Sequence, residues 1–95
     1  MSVEEAYAKK VEARLEELDA EIGLMKAKAK GAEADAQLEY TRHLSELRKK
    51  REEAGRKLNE LREAGDDAMD DLQAGMENAW KELKNAVDQA KTRFQ

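Results

Sequence analysis

The sequence contains no cysteine and no proline, and its aromatic residues are one tryptophan, one phenylalanine and two tyrosines in 95 positions. Without cysteine there can be no disulfide framework, thiolate metal site or cysteine nucleophile. Without proline the strongest helix breaker is missing, and no Asn-Gly pair or Ser-rich run replaces it. No stretch approaches the roughly 18 apolar residues of a membrane span. Large apolar side chains are few: 16 of the 38 hydrophobic residues are alanine. The remainder is too little to enclose a deep pocket. Neither sign of charge dominates, with 18 basic against 22 acidic residues and a net charge of −4. Basic groups diluted by acids do not make the positive surface that nucleic acid requires, so no nucleic-acid partner is expected. Residues 1–5 open with acids and lead into no apolar run, so no signal peptide is expected and the chain is read as cytoplasmic.

What the chain does contain is helix former. Ala, Glu, Lys, Leu and Arg supply 59 of the 95 residues, above the roughly 50 % that marks a coiled coil or long helix. Apolar positions run Val3, Tyr7, Val11, Leu15, Leu18, Ile22, Met25, Ala29, Ala32, Ala36, Tyr40, Leu44, Leu47, Ala54, Leu58 and Leu61. They resume as Met69, Leu72, Met76, Trp80, Leu83, Val87, Ala90 and Phe94. Steps of three and four make a helical stripe, whereas a strand would alternate with period two. The fold class read from this pattern is all-α.

Ser2 followed by Glu5 fits a capping box and starts the first helix near residue 3. Its end is placed at Glu63-Ala64-Gly65-Asp66-Asp67, where glycine closes one helix and aspartate caps the next. Asp66, Asp67, Asp70 and Asp71 then complement the dipole of the new first turn. This predicts a long coiled-coil helix within residues 1–64 and an amphipathic helix within residues 65–95, one structural unit arranged as a helical hairpin. One unbroken helix through Gly65 is a further possibility. Gly23, Gly31 and Gly75 lack capping neighbours and are read as tolerated inside helices. Gly31 is the most suspect, and a break there predicts three helices and a monomeric three-helix bundle instead.

The stripe mixes two periods. Residues 15 to 36 follow heptads, while Leu47, Leu58, Met69 and Trp80 recur every eleven residues, a spacing that runs nearly straight or slightly right-handed. In the last segment Leu72, Leu83, Phe94, Met76, Met69, Val87 and Trp80 share one arc of roughly 120° at about 100° per residue. That arc can pack against protein or lie in a lipid headgroup layer. The segment's acidic excess argues against anionic lipid and for packing.

Candidate chemistry is sparse. Asp66-Asp67-Ala68-Met69-Asp70 matches the DDxxD pattern of magnesium-diphosphate sites, but helix capping explains the same residues. His43 is the only histidine, and with Glu39 alone it cannot close a zinc site. No nucleophile with an adjacent base and no Gly-rich phosphate loop can be assembled. Arg48-Lys49-Lys50-Arg51 is followed by Glu52-Glu53, and Glu46/Lys50, Glu52/Arg56 and Glu53/Lys57 are expected to pair at helical spacing. Arg51 falls on the apolar stripe, which either weakens the core locally or lays its stem along the seam with the charge outside. No catalytic residue, cofactor or metal is expected.

Glu33-Ala34-Asp35-Ala36 with Glu39-Tyr40, Leu44-Ser45-Glu46-Leu47-Arg48, and the run from Ala68-Met69-Asp70-Asp71-Leu72 through Gln73-Ala74-Gly75-Met76 to Glu77-Asn78-Ala79-Trp80 together resemble a small bacterial coiled-coil stress-response family. It is a cyanobacterial-type family with apolipoprotein-like repeats. The resemblance spans most of the chain; Met69 stands where relatives are expected to carry tryptophan. It implies a bacterial, helical, non-enzymatic protein linked to stress.

Folded as a hairpin, a helix of residues 3 to 63 would extend about 90 Å at about 1.5 Å per residue and its partner about 40 Å. The short helix would leave Val3, Tyr7, Val11, Leu15, Leu18, Ile22 and Met25 uncovered, too much apolar seam for water. Self-association through this half, as a dimer, is therefore expected. Another helical protein or a membrane surface are the alternative partners. The expected interaction seam comprises those seven residues with Tyr40, Leu44, Leu47, Leu58, Leu61, Met69, Leu72, Met76, Trp80, Leu83, Val87 and Phe94.

Overall fold

The computed structural model describes residues 2–65 and 68–93. Among them there are three helices and no strand: α1 Val3–Lys30, α2 Ala34–Ala64 and α3 Met69–Arg93. The all-α reading holds. The helix expected over residues 3 to 63 does not run unbroken, because the chain turns at residues 31–33.

Ser2 opens α1 in extended conformation, its Oγ accepting from the Glu5 amide at 3.1 Å. Glu4 and Glu5 sit at the positive end of the dipole, and Lys28 and Lys30 at the negative end. The turn is built from tightened local bonds. The Gly31 amide donates to the Lys28 carbonyl and the Ala32 amide to the Ala29 carbonyl, both at 3.2 Å. Gln37 then reaches back from α2, its Nε2 donating to the Lys30 carbonyl at 3.4 Å. Glu33 caps α2 without any side-chain bond.

Magnitudes explain why the chain turns here. Interrupting a helix forgoes a few backbone bonds worth about 1 kcal/mol each. Folding α1 back buries Val11, Leu15, Leu18 and Met25, each worth roughly 1.5–3 kcal/mol. The stripe offers only Ala29, Ala32 and Ala36 around the turn, so a straight coil would gain least at that point.

The helices run up, down and up. Arg51 of α2 meets Asp19 of α1, and Arg62 meets Glu12, an antiparallel register. Arg93 of α3 meets Glu39 of α2 in the same sense. Tyr7 and Glu77, then Glu21 and Lys91, place α1 and α3 parallel. The molecule measures 50 × 19 × 18 Å. One apolar cluster draws on all three helices, and no polar or charged residue is buried among the described residues.

Gly65 follows α2 with φ +75° and ψ −172°, a conformation open to glycine. This agrees with the helix end placed there from sequence. The proposed capping by Asp66 and Asp67 lies outside the described residues. Gly23 and Gly75 sit inside α1 and α3.

Candidate functional site

The expected seam forms the interior of the chain. Val11, Leu15, Leu18, Met25, Leu44, Leu47, Leu58, Leu61, Met69, Met76, Leu83 and Val87 are buried. Tyr7, Ile22, Tyr40, Leu72 and Trp80 pack partly buried against them. Val3 is 76 % exposed, and Phe94 lies outside the described residues. The residues of α1 on which the expected dimer rested, Val3 apart, are therefore covered or partly covered within one chain. Alanines complete the packing, and two of them, Ala8 and Ala79, were absent from the sequence stripe. Their spacing was available: Ala8 precedes Val11 by three and Ala79 follows Met76 by three.

The most developed polar arrangement joins α1 to α3. The Tyr7 hydroxyl donates to Glu77 Oε1 at 2.8 Å. Arg14 Nη1 donates to the same carboxylate at 3.1 and 3.3 Å. The Arg14 guanidinium also lies 4.5 Å from the centroid of the Trp80 ring, a cation–π contact. The Trp80 indole N–H is buried and has no acceptor among the described residues. The cluster thus holds one carboxylate by two donors, and one cation by a carboxylate and a ring.

This geometry sets the ionisation of both acids. The hydrogen bond from Tyr7 is the main force holding the Glu77 carboxyl below its usual range, partly offset by burial and helped by Arg14 and Lys10. Burial, then the bond to Glu77, pushes the Tyr7 phenol well above its usual value. Glu77 binds a proton more readily unfolded than folded, so its stabilising contribution is complete above about pH 4.5 and lost as pH falls through the lower folded value. Tyr7→Phe is expected to move the Glu77 carboxyl titration upward by nuclear magnetic resonance. It should also flatten the loss of stability on acidification; an unmoved titration would show that the phenol does not hold the carboxylate.

A second row of pairs crosses from α1 to α2. Arg51 donates to both Asp19 oxygens, at 2.6 and 3.1 Å. Arg62 pairs with Glu12. Arg51 is half-buried with its head on Asp19, the second of the two outcomes its place on the stripe left open. Gly55 makes room for it: a Cβ there would stand 3.0 Å from Arg51 Nη1. Within α2 the pairs are Arg56 with Glu53 and Lys57 with Glu60, one turn either way. These replace the expected Glu52/Arg56 and Glu53/Lys57 partners, and Lys50 makes no ion pair with Glu46. The cross-helix partners line the groove over Leu15 and Leu58.

Asp70 and Asp71 are exposed in the first turn of α3. Among the described residues, no three His, Cys, Asp or Glu side chains converge as metal ligands would. Among the described residues, no helix is long and apolar enough to cross a membrane. Comparison of the chain with family models, curated proteins and solved structures finds no match.

Proposed function

We propose that the chain is a non-enzymatic helical interaction module, a three-helix bundle complete in one copy that meets its partners with its outer surface. The observation that carries this reading is the consumption of the apolar stripe. Met76, Leu83 and Val87 of α3 are 0 % exposed, as are Val11 of α1 and Leu61 of α2. Seams already filled leave little apolar surface for pairing with another coil. The likeness of residues 68–80 to stress-response coils supports the same non-enzymatic class. A lipid reading that relies on the apolar arc of α3 requires the bundle to open first, because the described residues of that arc are already buried or partly buried.

Light scattering with small-angle X-ray scattering tests the proposal. The expected result is a 10.8 kDa particle with a radius of gyration near the 15.3 Å of the folded Cα trace. A dimer about 90 Å long, as an unbroken first helix would give, sinks it in favour of the self-associating hairpin.

A further inference from the structure

Folding sorts charges that the sequence interleaves. Residues 21–50 and 81–93 share the half of the molecule where α1 turns into α2, Arg93 meets Glu39 and Lys91 meets Glu21. Together they carry eleven Lys or Arg against seven Asp or Glu. The remaining described residues carry seven against thirteen. A chain of modest net charge is thus strongly polar along its 50 Å axis.

The basic end also holds two of the three exposed large hydrophobics among the described residues, Leu24 at 66 % and Leu38 at 57 %. They stand at equal distances before and after Gly31, on adjoining antiparallel helices. Lys28 stands one turn from Leu24 and Arg42 one turn from Leu38 on the same helix faces, while Lys26 and Lys30 stand on other faces of α1 near the turn. All four are exposed and none is in an ion pair among the described residues. Exposed leucine beside unneutralised lysine is the composition of a surface that enters a headgroup layer while its cations meet lipid phosphates and carboxylates.

We propose that this end docks upright on an anionic lipid surface, with Leu24 and Leu38 entering the headgroup layer and Lys26, Lys28, Lys30 and Arg42 meeting the negative charge. The acidic excess of the α3 segment does not oppose this, because Asp70, Asp71 and Glu77 belong to the opposite end. A second copy is the weaker occupant. A cross-section of 19 × 18 Å gives a head-to-tail contact of a few hundred Å² per partner, below the roughly 1,000 Å² of total buried area that a stable interface needs. A lipid surface imposes no such limit, since each Lys or Arg held near it raises partitioning about fivefold.

The proposal rests on the closed bundle, and the test reads that separately. The full chain is sedimented with phosphatidylcholine vesicles, with and without phosphatidylserine, while Trp80 fluorescence and circular dichroism are recorded. Binding is expected only with phosphatidylserine, weakening steeply with salt, with Trp80 emission unchanged. Replacing Lys26, Lys28, Lys30 and Arg42 together by Gln is expected to lower partitioning at least about a hundredfold. Lys9→Gln with Lys10→Gln, at the other end, should leave it unchanged. Leu24→Ser with Leu38→Ser should weaken it several-fold without altering the melt. No binding, equal binding to phosphatidylcholine alone, sedimentation without vesicles, or tighter capture of single-stranded RNA each overturns the proposal. A Trp80 shift on lipid overturns it differently, by showing that the bundle opens; a dimer in the scattering experiment would instead remove the closed bundle itself.

Discussion

Leu83→Ala is expected to lower the unfolding free energy by about 3 kcal/mol, within the 2–5 kcal/mol range for such truncations. Leu83 is 0 % exposed in the cluster shared by all three helices. The lost methyl groups forfeit their transfer energy, and helices held by neighbouring packing cannot collapse fully into the space. Domains of this size hold only about 5–15 kcal/mol in total, and each kcal/mol moves the melting temperature by roughly 4–8 °C. The midpoint should therefore fall by about 15 °C. Leu24→Ala, at a residue 66 % exposed on α1, should stay within about 0.5 kcal/mol. Both melts should be independent of protein concentration, because the core belongs to one chain; a midpoint that rises with concentration would place part of that core between chains.

The second large effect is a reversal of sign for one substitution at two kinds of glycine. Gly65→Ala is expected to destabilise by about 1–3 kcal/mol. The cause is conformational: at φ +75° a Cβ is strained although nothing stands within 4 Å of it. Gly23→Ala and Gly75→Ala meet equally open space but lie inside helices. There alanine removes unfolded-state freedom, and each should stabilise by about 0.5–1 kcal/mol. Denaturant titration of the three variants decides the matter. Destabilisation at all three positions would contradict the conformational account.

Much of this fold was legible in local patterns. The three-and-four stripe marks the residues that become the core, Ser2 marks a helix start, and Gly65 marks a stop. These signals act over a few residues, and local physics alone produces them. The turn at Gly31 is different. Glu33 makes no capping bond and Gly31 has a negative φ of −91°, so neither residue carries a strong local stop signal. The turn is favoured because α1 can then cover α2 and α3, a gain that appears only in three dimensions. The candidate surfaces divide the same way. Arg51 was readable because it interrupts the stripe on its own helix. The grip of Tyr7 and Arg14 on Glu77 spans 70 and 63 residues, beyond any spacing rule. The basic end was hidden for the same reason, since it joins residues up to 50 to residues 81–93, which only folding brings together.

The turn at residues 31–33 also governs how quickly the chain finds its fold. Each antiparallel pair is made by neighbours in sequence, so the search begins with short loop closures whose entropic cost is small. Helices form within about a microsecond and dock across such loops on microsecond-to-millisecond timescales. A chain without proline has no peptide bond that must isomerise over tens of seconds. Apolar faces that must be covered are thus exposed only briefly after synthesis, and the interval in which they could aggregate is correspondingly short.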